Sequence, residues 1–330
     1  MRVVVVGATG NVGTSVLASL ASDASIEEIV AVARRPARVE DGRTTFVSAD
    51  VARDELAPIF SGASAVVHLA WLIQPSRKQS LLHDVNVTGS ERVARAVVEA
   101  HVPAFVCASS VGAYSPGPKD RTVDESWETN GIASSLYSRQ KVAVERQLDQ
   151  LEHDAPALRV VRMRPGLIFK REAGNQIHAL FAGRLVPRRL VDPRLIPFVP
   201  DVRGLRFQVV HSDDVGDAYR RAVTADVRGA FNLAADPPIG PAELAELLHA
   251  RRLRLSPRLL RGGAAVTYAL RLQPTEPGWV DMGLGAPLLD TTRAATELGW
   301  RPRHTATDTL RELLDGIRAG ASATTPPLAR

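Results

Sequence analysis

Short, strongly apolar runs alternate with helically spaced stretches through the first half of the chain. The candidate strands are Arg2–Val6, Ile29–Ala33, Thr45–Ser48, Ala65–Leu69, Ala104–Ala108 and Leu158–Arg162. Between them, Val12–Ala21 and Val93–His101 carry their apolar residues at helical spacing. Strands without polar alternation need cover on both faces, and strict alternation of strand and helix makes their sheet parallel. Beyond Arg162 the regularity fails. Positions 186–202 hold four prolines and several arginines, which suits an irregular lid or substrate segment better than a core element. A strand returns at Phe207–Val210, a helix opens near Asp213, and Phe231-Asn232-Leu233 reads as one more short strand. From Pro241 the pattern is mainly helical and closes on the amphipathic Thr305–Ile317. The small and proline-containing stretch after Ala319 reads as a disordered tail.

With 330 residues, 45% of them hydrophobic, the chain can bury a large core as one α/β unit or as two joined domains. No apolar stretch is long enough to cross a bilayer, and no membrane partner is expected. Val3 to Val6 begin almost at Met1, so no signal or transit peptide is expected ahead of the fold. The single cysteine, Cys107, excludes an intrachain disulfide, and a cytoplasmic location is the default expectation. The formal charge of +5 comes from scattered arginines, with Arg251-Arg252-Leu253-Arg254 as the one dense cluster. Aromatics are only 5% and no basic stripe interleaves with them, so no nucleic-acid partner is expected. The surplus reads as a solvated surface that can steer an anionic cofactor or substrate.

The first strand runs directly into Gly7-Ala8-Thr9-Gly10-Asn11-Val12-Gly13 and then a helical pattern. Strand, glycine-rich turn and helix in that order are the context a dinucleotide fingerprint requires. Gly7 permits the tight turn, Gly10 lets the backbone approach a pyrophosphate, and Gly13 lets the helix pack close on the strand. The helix N-terminus then offers N–H donors and positive dipole to the phosphates. Further along, Tyr137 and Lys141 stand four residues apart and therefore share one helix face. A free phenol, with a pKa of about 10, is a poor base at neutral pH. A lysine cation and an oxidised nicotinamide beside it would both favour the phenolate and lower that value. Such a pair exchanges a proton with an alcohol or carbonyl oxygen while hydride moves to or from the nicotinamide.

The G-x-x-G-x-x-G spacing, with Thr9 before the second glycine, resembles the short-chain dehydrogenase/reductase superfamily. The chain length and downstream motifs resemble its extended branch, which includes nucleotide-sugar epimerases, dehydratases and several reductases. Ser109-Ser110-Val111-Gly112-Ala113-Tyr114 is similar to the S-S-x-x-x-Y segment of that family. The resemblance makes Ser110 the residue that polarises the substrate oxygen, with Ser109 as the fallback, and gives Lys141 the ribose of the cofactor. Asp50-Val51 falls where the family contacts adenine. His68-Leu69-Ala70-Trp71 resembles its H-x-A-A segment beside the cofactor, Trp71 departing from the usual small residue. His68 reads as a near-core histidine and Asn86 as structural. Arg164-Pro165-Gly166-Leu167-Ile168-Phe169 resembles the R-P-G segment, which places Pro165 and Ile168 against the nicotinamide. The aspartates of Val210-His211-Ser212-Asp213-Asp214-Val215 are expected to cap the following helix, and Leu298-Gly299-Trp300-Arg301-Pro302 resembles the end motif of epimerase-like members.

Cofactor choice is read at the end of the second strand, Ala33-Arg34-Arg35, where no carboxylate stands and two arginines do. An acidic residue there would select NAD, whereas arginine accommodates a 2′-phosphate, so NADP(H) is favoured over NAD(H). No metal is expected. The expected fold is α/β, a Rossmann-type doubly wound parallel sheet with a smaller, mostly helical C-terminal substrate-binding part. Residues 1–168 form the dinucleotide-binding domain, to which 205–235 returns. Residues 169–204 and 236–318 form the substrate region, and 319–330 the tail.

Three functions compete: a reductase or dehydrogenase acting on a small carbonyl or alcohol, a nucleotide-sugar epimerase or dehydratase, and a non-catalytic NADP-binding sensor. The sensor would have lost Tyr137 or Lys141. Sugar-nucleotide members hold a diphosphate-pairing arginine in an R-x-G-D segment, and here Glu276 of Glu276-Pro277-Gly278-Trp279 takes its place. A carboxylate there repels a diphosphate. Against this, Arg203 and Arg206 could bind an anionic substrate, whereas Arg34 and Arg35 favour NADP, which suits net reduction. The reductase reading is therefore preferred, acting on a small-molecule substrate. A homodimer is expected through helices at Val87–His101 and Ser135–Leu151, although the apolar face of Val93, Ala94, Val97 and Val98 fits a sheet equally well.

Overall fold

A computed structural model of the chain describes residues 1–35, 37, 41–74, 77–181, 196–323, 325, 326 and 328. Its central sheet has seven strands: β1 (Arg2–Val6), β2 (Glu28–Ala33), β3 (Thr44–Ser48), β4 (Ala65–His68), β5 (Ala104–Ala108), β6 (Arg159–Pro165) and β7 (Gly229–Leu233). Every neighbouring pair is parallel, and the spatial order is β7-β6-β5-β4-β1-β2-β3. The winding reverses beside β1, so a crevice opens there at the carboxyl edge of the strands. β1 shows why its valine run is unbroken. Val3 and Val5 enter the core on one face, Val4 and Val6 the core on the other, as a side-chain period of two dictates.

Four helices supply the cover: α1 (Asn11–Ala21), α2 (Gly89–Glu99), α3 (Leu136–Asp154) and α4 (Ser212–Thr224). Val16, Leu17 and Leu20 of α1 join Val215, Ala218 and Ala222 of α4 over one face. On the opposite face Val93, Ala94 and Val97 of α2 and Val144 and Leu148 of α3 share a core with Val66, Phe105 and Val160. The apolar stripe of α2 that a dimer was expected to use is thus consumed by the sheet, and only Val98 stays exposed.

A smaller sheet, Leu167–Phe169 beside Phe207–His211 beside Ala235–Ile239, packs Val209, Ala235 and Ile239 against Leu310, Leu313 and Ile317 of the amphipathic helix Ala306–Ala319. Of the proline-rich run expected as an irregular lid, positions 186–195 lie outside the described residues. Its end is regular: Phe198–Asp201 pairs in parallel with Arg251–Arg254, so the arginine cluster is an exposed strand. The tail also departs from expectation. Asn175 donates to the carbonyls of Gly320 and Ala321, and Leu328 is buried; positions 324, 327, 329 and 330 lie outside the described residues.

The aspartates expected to cap α4 do other work. His211 is the N-cap, its Nδ1 accepting from the Asp213 amide. Asp213 accepts from Ser15 of α1, while buried Asp214 accepts from the backbone and ring of His304. Trp300, wholly buried, donates to the Asp214 carbonyl. Both carboxylates therefore tie distant segments to α4, a use that spacing alone does not reveal.

α3 is fastened to the sheet by charge. Tyr137, Lys141 and Glu145 lie on one stripe, four residues apart, and Glu145 is 1% exposed. Arg164 of β6 pairs with both of its carboxylate oxygens at 2.8 and 3.0 Å, and Arg162 adds a bond at 2.9 Å. Ser109 donates to the same carboxylate at 2.5 Å. Burial alone would push the Glu145 carboxyl up, but the bonds and charge of Arg164 more than offset this and bring it down to about 2. Removing one member leaves uncompensated buried charge, so Glu145→Ala should cost about 3–5 kcal/mol in urea unfolding. Because the folded value lies below the ordinary 4.5, this stabilisation is complete above the unfolded value and lost as pH falls toward about 2. The acid-unfolding curve of Glu145→Gln should accordingly be flatter than wild type across that window.

Candidate active site

The glycine loop sits at the carboxyl end of β1. The amides of Gly7 and Ala8 donate to Val32 at 2.9 and 3.3 Å, which binds the turn to β2. Gly7 has a positive φ of 89°, and a Cβ there would stand 2.6 Å from the Ala70 amide nitrogen. A Cβ on Gly13 would stand 2.4 Å from the Gly7 carbonyl oxygen, whereas one on Gly10 would meet only that oxygen, at 3.6 Å. The first and third glycines are therefore packing requirements, and the second leaves open space. Thr9 is buried, Val12 half-buried, and Asn11 donates to the Ile168 carbonyl at 3.1 Å, closing the loop against the strand after β6. No side chain caps the N-terminus of α1, and Asn11 Oδ1 is buried without a partner among the described residues.

Around this loop the structure gathers most of the residues singled out in the sequence. Leu69 continues from β4 by donating to Val6, and Ala70 lies behind Gly7. Arg34 and Arg35 are exposed at the end of β2. Asp50 follows β3 and caps its own turn, accepting from Ala52, while Val51 is buried against Gly89. Pro165 ends β6. The cradle fits a dinucleotide: an uncapped helix N-terminus, an open second glycine, an amide oxygen orphaned among the described residues and two exposed arginines at the β2 end.

At the neighbouring edge Ser110 lies beside the Tyr137 phenol, where its hydroxyl favours the phenolate, and it accepts from the Gly112 amide at 3.0 Å. Ser109, the fallback, faces the other way and is committed to Glu145. Lys141 Nζ donates to the Ala108 carbonyl at 2.8 Å and rests 3.5 Å from the centre of the Trp71 ring. The large residue where the family places a small one thus lies on the ammonium.

Burial changes the acid–base expectation. The Tyr137 phenol is pushed up to about 12 by desolvation, opposed only by the Ser110 bond, and the Lys141 ammonium is brought down to about 8 by its own burial. In the uncomplexed chain the phenol is not acidified by its neighbour, because the same aromatic enclosure desolvates both groups. The ring of Tyr137 meets Trp71 edge-on at 5.8 Å between centroids and Trp279 at 4.9 Å, and Trp279 in turn meets Phe181 at 5.1 Å.

The partners of several residues singled out in the sequence are also on view here. Glu276, set against a diphosphate-binding arginine above, accepts from the Leu136 amide at 2.7 Å and so caps α3 together with Ser135. Buried Asn86 accepts from the Leu72 amide and donates to the Leu72 carbonyl and to Gln140 Oε1, which fixes the 70–72 segment over α3. His68 is a near-core histidine, bonded to Ser90 and held neutral by burial, which lowers it to about 3. Arg206 is spent on the Lys119 carbonyl, and Lys119 on those of Arg206 and Gly283. The signals for Glu145 and Arg162 were present, as a carboxylate at the third position of the α3 stripe and an arginine two before Arg164 in an apolar strand.

The sheet and the glycine loop at its carboxyl edge are those of a Rossmann-type dinucleotide enzyme. The model of the NAD dependent epimerase/dehydratase family matches residues 3–234, and the chain belongs to that family. A relative, the epimerase family protein ML0860 of Mycobacterium leprae, is 27% identical over 253 residues, 73% of this chain and 74% of that one. Among solved structures, MoeE5 in complex with UDP-glucuronic acid and NAD is similar with a TM-score of 0.71 and 21% identity, covering 97% of this chain and 100% of its own. The UDP-glucose 4-epimerase of Thermus thermophilus in complex with NAD has a TM-score of 0.71 at 20% identity, covering 96% and 99%. No helix among the described residues is long and apolar enough to cross a membrane.

The three glycines should separate by experiment. Gly13→Ala should lower stability by about 1–3 kcal/mol through overpacking, read as a lower thermal midpoint. Gly10→Ala should melt like wild type yet lose dinucleotide affinity in calorimetry. Equal behaviour of the two would contradict the division of labour in the loop.

Proposed function

We propose that the protein transfers hydride between a nicotinamide cofactor and a carbonyl or alcohol substrate, with Tyr137 as acid and base. The observation that carries this reading is the placing of Tyr137 beside Ser110, with Lys141 one turn further along the same helix. When bound, the dinucleotide supplies the hydride in reduction. This chain supplies the rest. A carbonyl oxygen placed beside both hydroxyls would receive a hydrogen bond from Ser110 and the proton of Tyr137. A phenol near 12 stays protonated through the neutral range, which suits it to donate a proton to a carbonyl. Lys141 holds the ribose and keeps positive charge beside the oxygen that becomes anionic.

NADP(H) is the cofactor this reading favours, on the two exposed arginines and the missing carboxylate after β2. A second reading, epimerisation or dehydration with the cofactor reduced and reoxidised within one cycle, draws on the family and on the NAD-bound epimerase neighbours. Residues 169–204 and 236–318 would form the substrate-binding region in either case. A homodimer and a cytoplasmic setting belong to the same proposal, supported by family resemblance and by a single, buried cysteine.

Tyr137→Phe should abolish turnover while the dissociation constant for dinucleotide changes little; unchanged turnover would remove Tyr137 from the chemistry. Arg34→Ala with Arg35→Ala should weaken NADPH more than NADH in fluorescence titration, and equal weakening would refute a 2′-phosphate role. In initial-rate profiles, carbonyl reduction should hold level from neutral pH and decline as Lys141 loses its proton above about 8. Alcohol oxidation should instead rise with pH as the phenol deprotonates. A reduction profile that climbs with pH would contradict the acid role.

A further inference from the structure

The wall facing Tyr137 is built almost entirely of flat and apolar groups. Trp71 and Trp279 meet its ring from two sides, Phe181 backs Trp279, and Ile132 and Met282 join Tyr137 and Trp279 in one cluster. Only Trp279 and Met282 share a helix, Gly278–Gly285, so no single helix stripe accounts for the whole group. They converge over the one side chain that the chemistry needs. The space beside them, lined by Leu72, Leu82, Leu136, Gln140 and Glu276 among others, measures only about 10 Å³, roughly one water. A substrate enters by parting the rings, and what replaces a ring face most favourably is another flat apolar group.

Charge points the same way. Among the described residues the only cation at this wall is Lys141, which lies under Trp71, and the one anion is Glu276. Arg206 and Lys119 are bonded to backbone carbonyls, as set out above, and Arg77 is bonded to the Tyr268 carbonyl and stacked on its ring. A diphosphate would find a carboxylate and indole faces where it needs guanidinium. Two buried donors at the wall lack a partner among the described residues, Trp71 Nε1 and Gln140 Nε2. The bonds of Asn86 to Leu72 fix its amide, which turns Gln140 Oε1 toward Asn86 and leaves Gln140 Nε2, 5% exposed as a residue, without a partner at the cavity. An unmatched buried donor calls for an acceptor on the ligand.

We propose that the site takes an aryl or conjugated ketone or aldehyde, its flat group held between Trp71 and Trp279 and an oxygen substituent accepting from Gln140, and excludes nucleoside diphosphate sugars. This rests on the hydride-transfer reading. In the step, hydride from the reduced nicotinamide forms a C–H bond at the carbonyl carbon, the C=O π pair moves to oxygen, and the Tyr137 proton completes the alcohol.

Two arms test it on the full-length protein loaded with cofactor. In the first, consumption of reduced nicotinamide is followed with methoxy-substituted aryl ketones, a short aliphatic ketone and UDP-glucose. In the second, equilibrium binding of the matching aryl alcohols and of UDP-glucose is followed by calorimetry, which needs no turnover. The aryl compounds should be preferred by about tenfold or more in kcat/KM and in affinity. Trp279→Ala should lose that preference through KM with cofactor affinity intact, and Trp279→Phe should recover most of it. Aryl binding that needs Trp279 but proceeds without turnover would uphold the substrate class and defeat the hydride reading. Binding or turnover of UDP-glucose in preference to the aryl compounds would overturn the class, as would a Trp279→Ala enzyme that still discriminates like wild type.

Discussion

The buried carboxylate of Glu145 is the constraint on which the rest of the site depends. It sits one turn beyond Lys141 on α3, clasped by Arg162 and Arg164 of β6 and by Ser109 at the end of β5. A surface ion pair would contribute little to stability, but a carboxylate with two guanidinium partners away from water has no alternative arrangement of similar energy. The pairing therefore sets how far along the sheet, and at what rotation, α3 lies. Tyr137 and Lys141 inherit their positions from it. The same cluster reaches outward, since Arg164 also bonds Tyr114, whose hydroxyl donates to Asn232 of β7. Three adjacent strands and the helix carrying Tyr137 are thus held by one polar knot at the sheet's carboxyl edge.

Around that knot the aromatic enclosure gives the site its electrostatic character. A solvated lysine beside a phenol would acidify it. Enclosed by Trp71 and Trp279, both groups instead lose hydration, and each is driven toward its neutral form. The chain on its own holds a phenol that keeps its proton and an ammonium whose hold is weakened. Pocket and acid strength follow from the same side chains.

Much of this was legible in the sequence, and the reasons are specific. β1 and the glycine loop were readable because a buried parallel strand needs an unbroken apolar run and the turn after it tolerates only glycine at Gly7 and Gly13. The Tyr137–Lys141 pair was readable because helical spacing puts i and i+4 on one face. What escaped were partnerships between distant segments. Asp213 and Asp214 stood at the head of a helix, where a carboxylate usually caps, yet they bond Ser15 and His304. Glu276 was read by what it replaces, whereas its role follows from where the chain brings it, at the amide end of α3. The direction of the phenol's shift also escaped, because desolvation depends on which rings close over it.

The contact between Trp71 and Lys141 has a thermodynamic corollary. An ammonium in bulk water gives up one or more bound waters before it can hydrogen-bond a hydroxyl. Here one flank already rests on an indole face 3.5 Å away and another on a backbone carbonyl. An arriving oxygen displaces a soft π contact, which is weaker than bound water. The dehydration toll of that encounter has been met during folding.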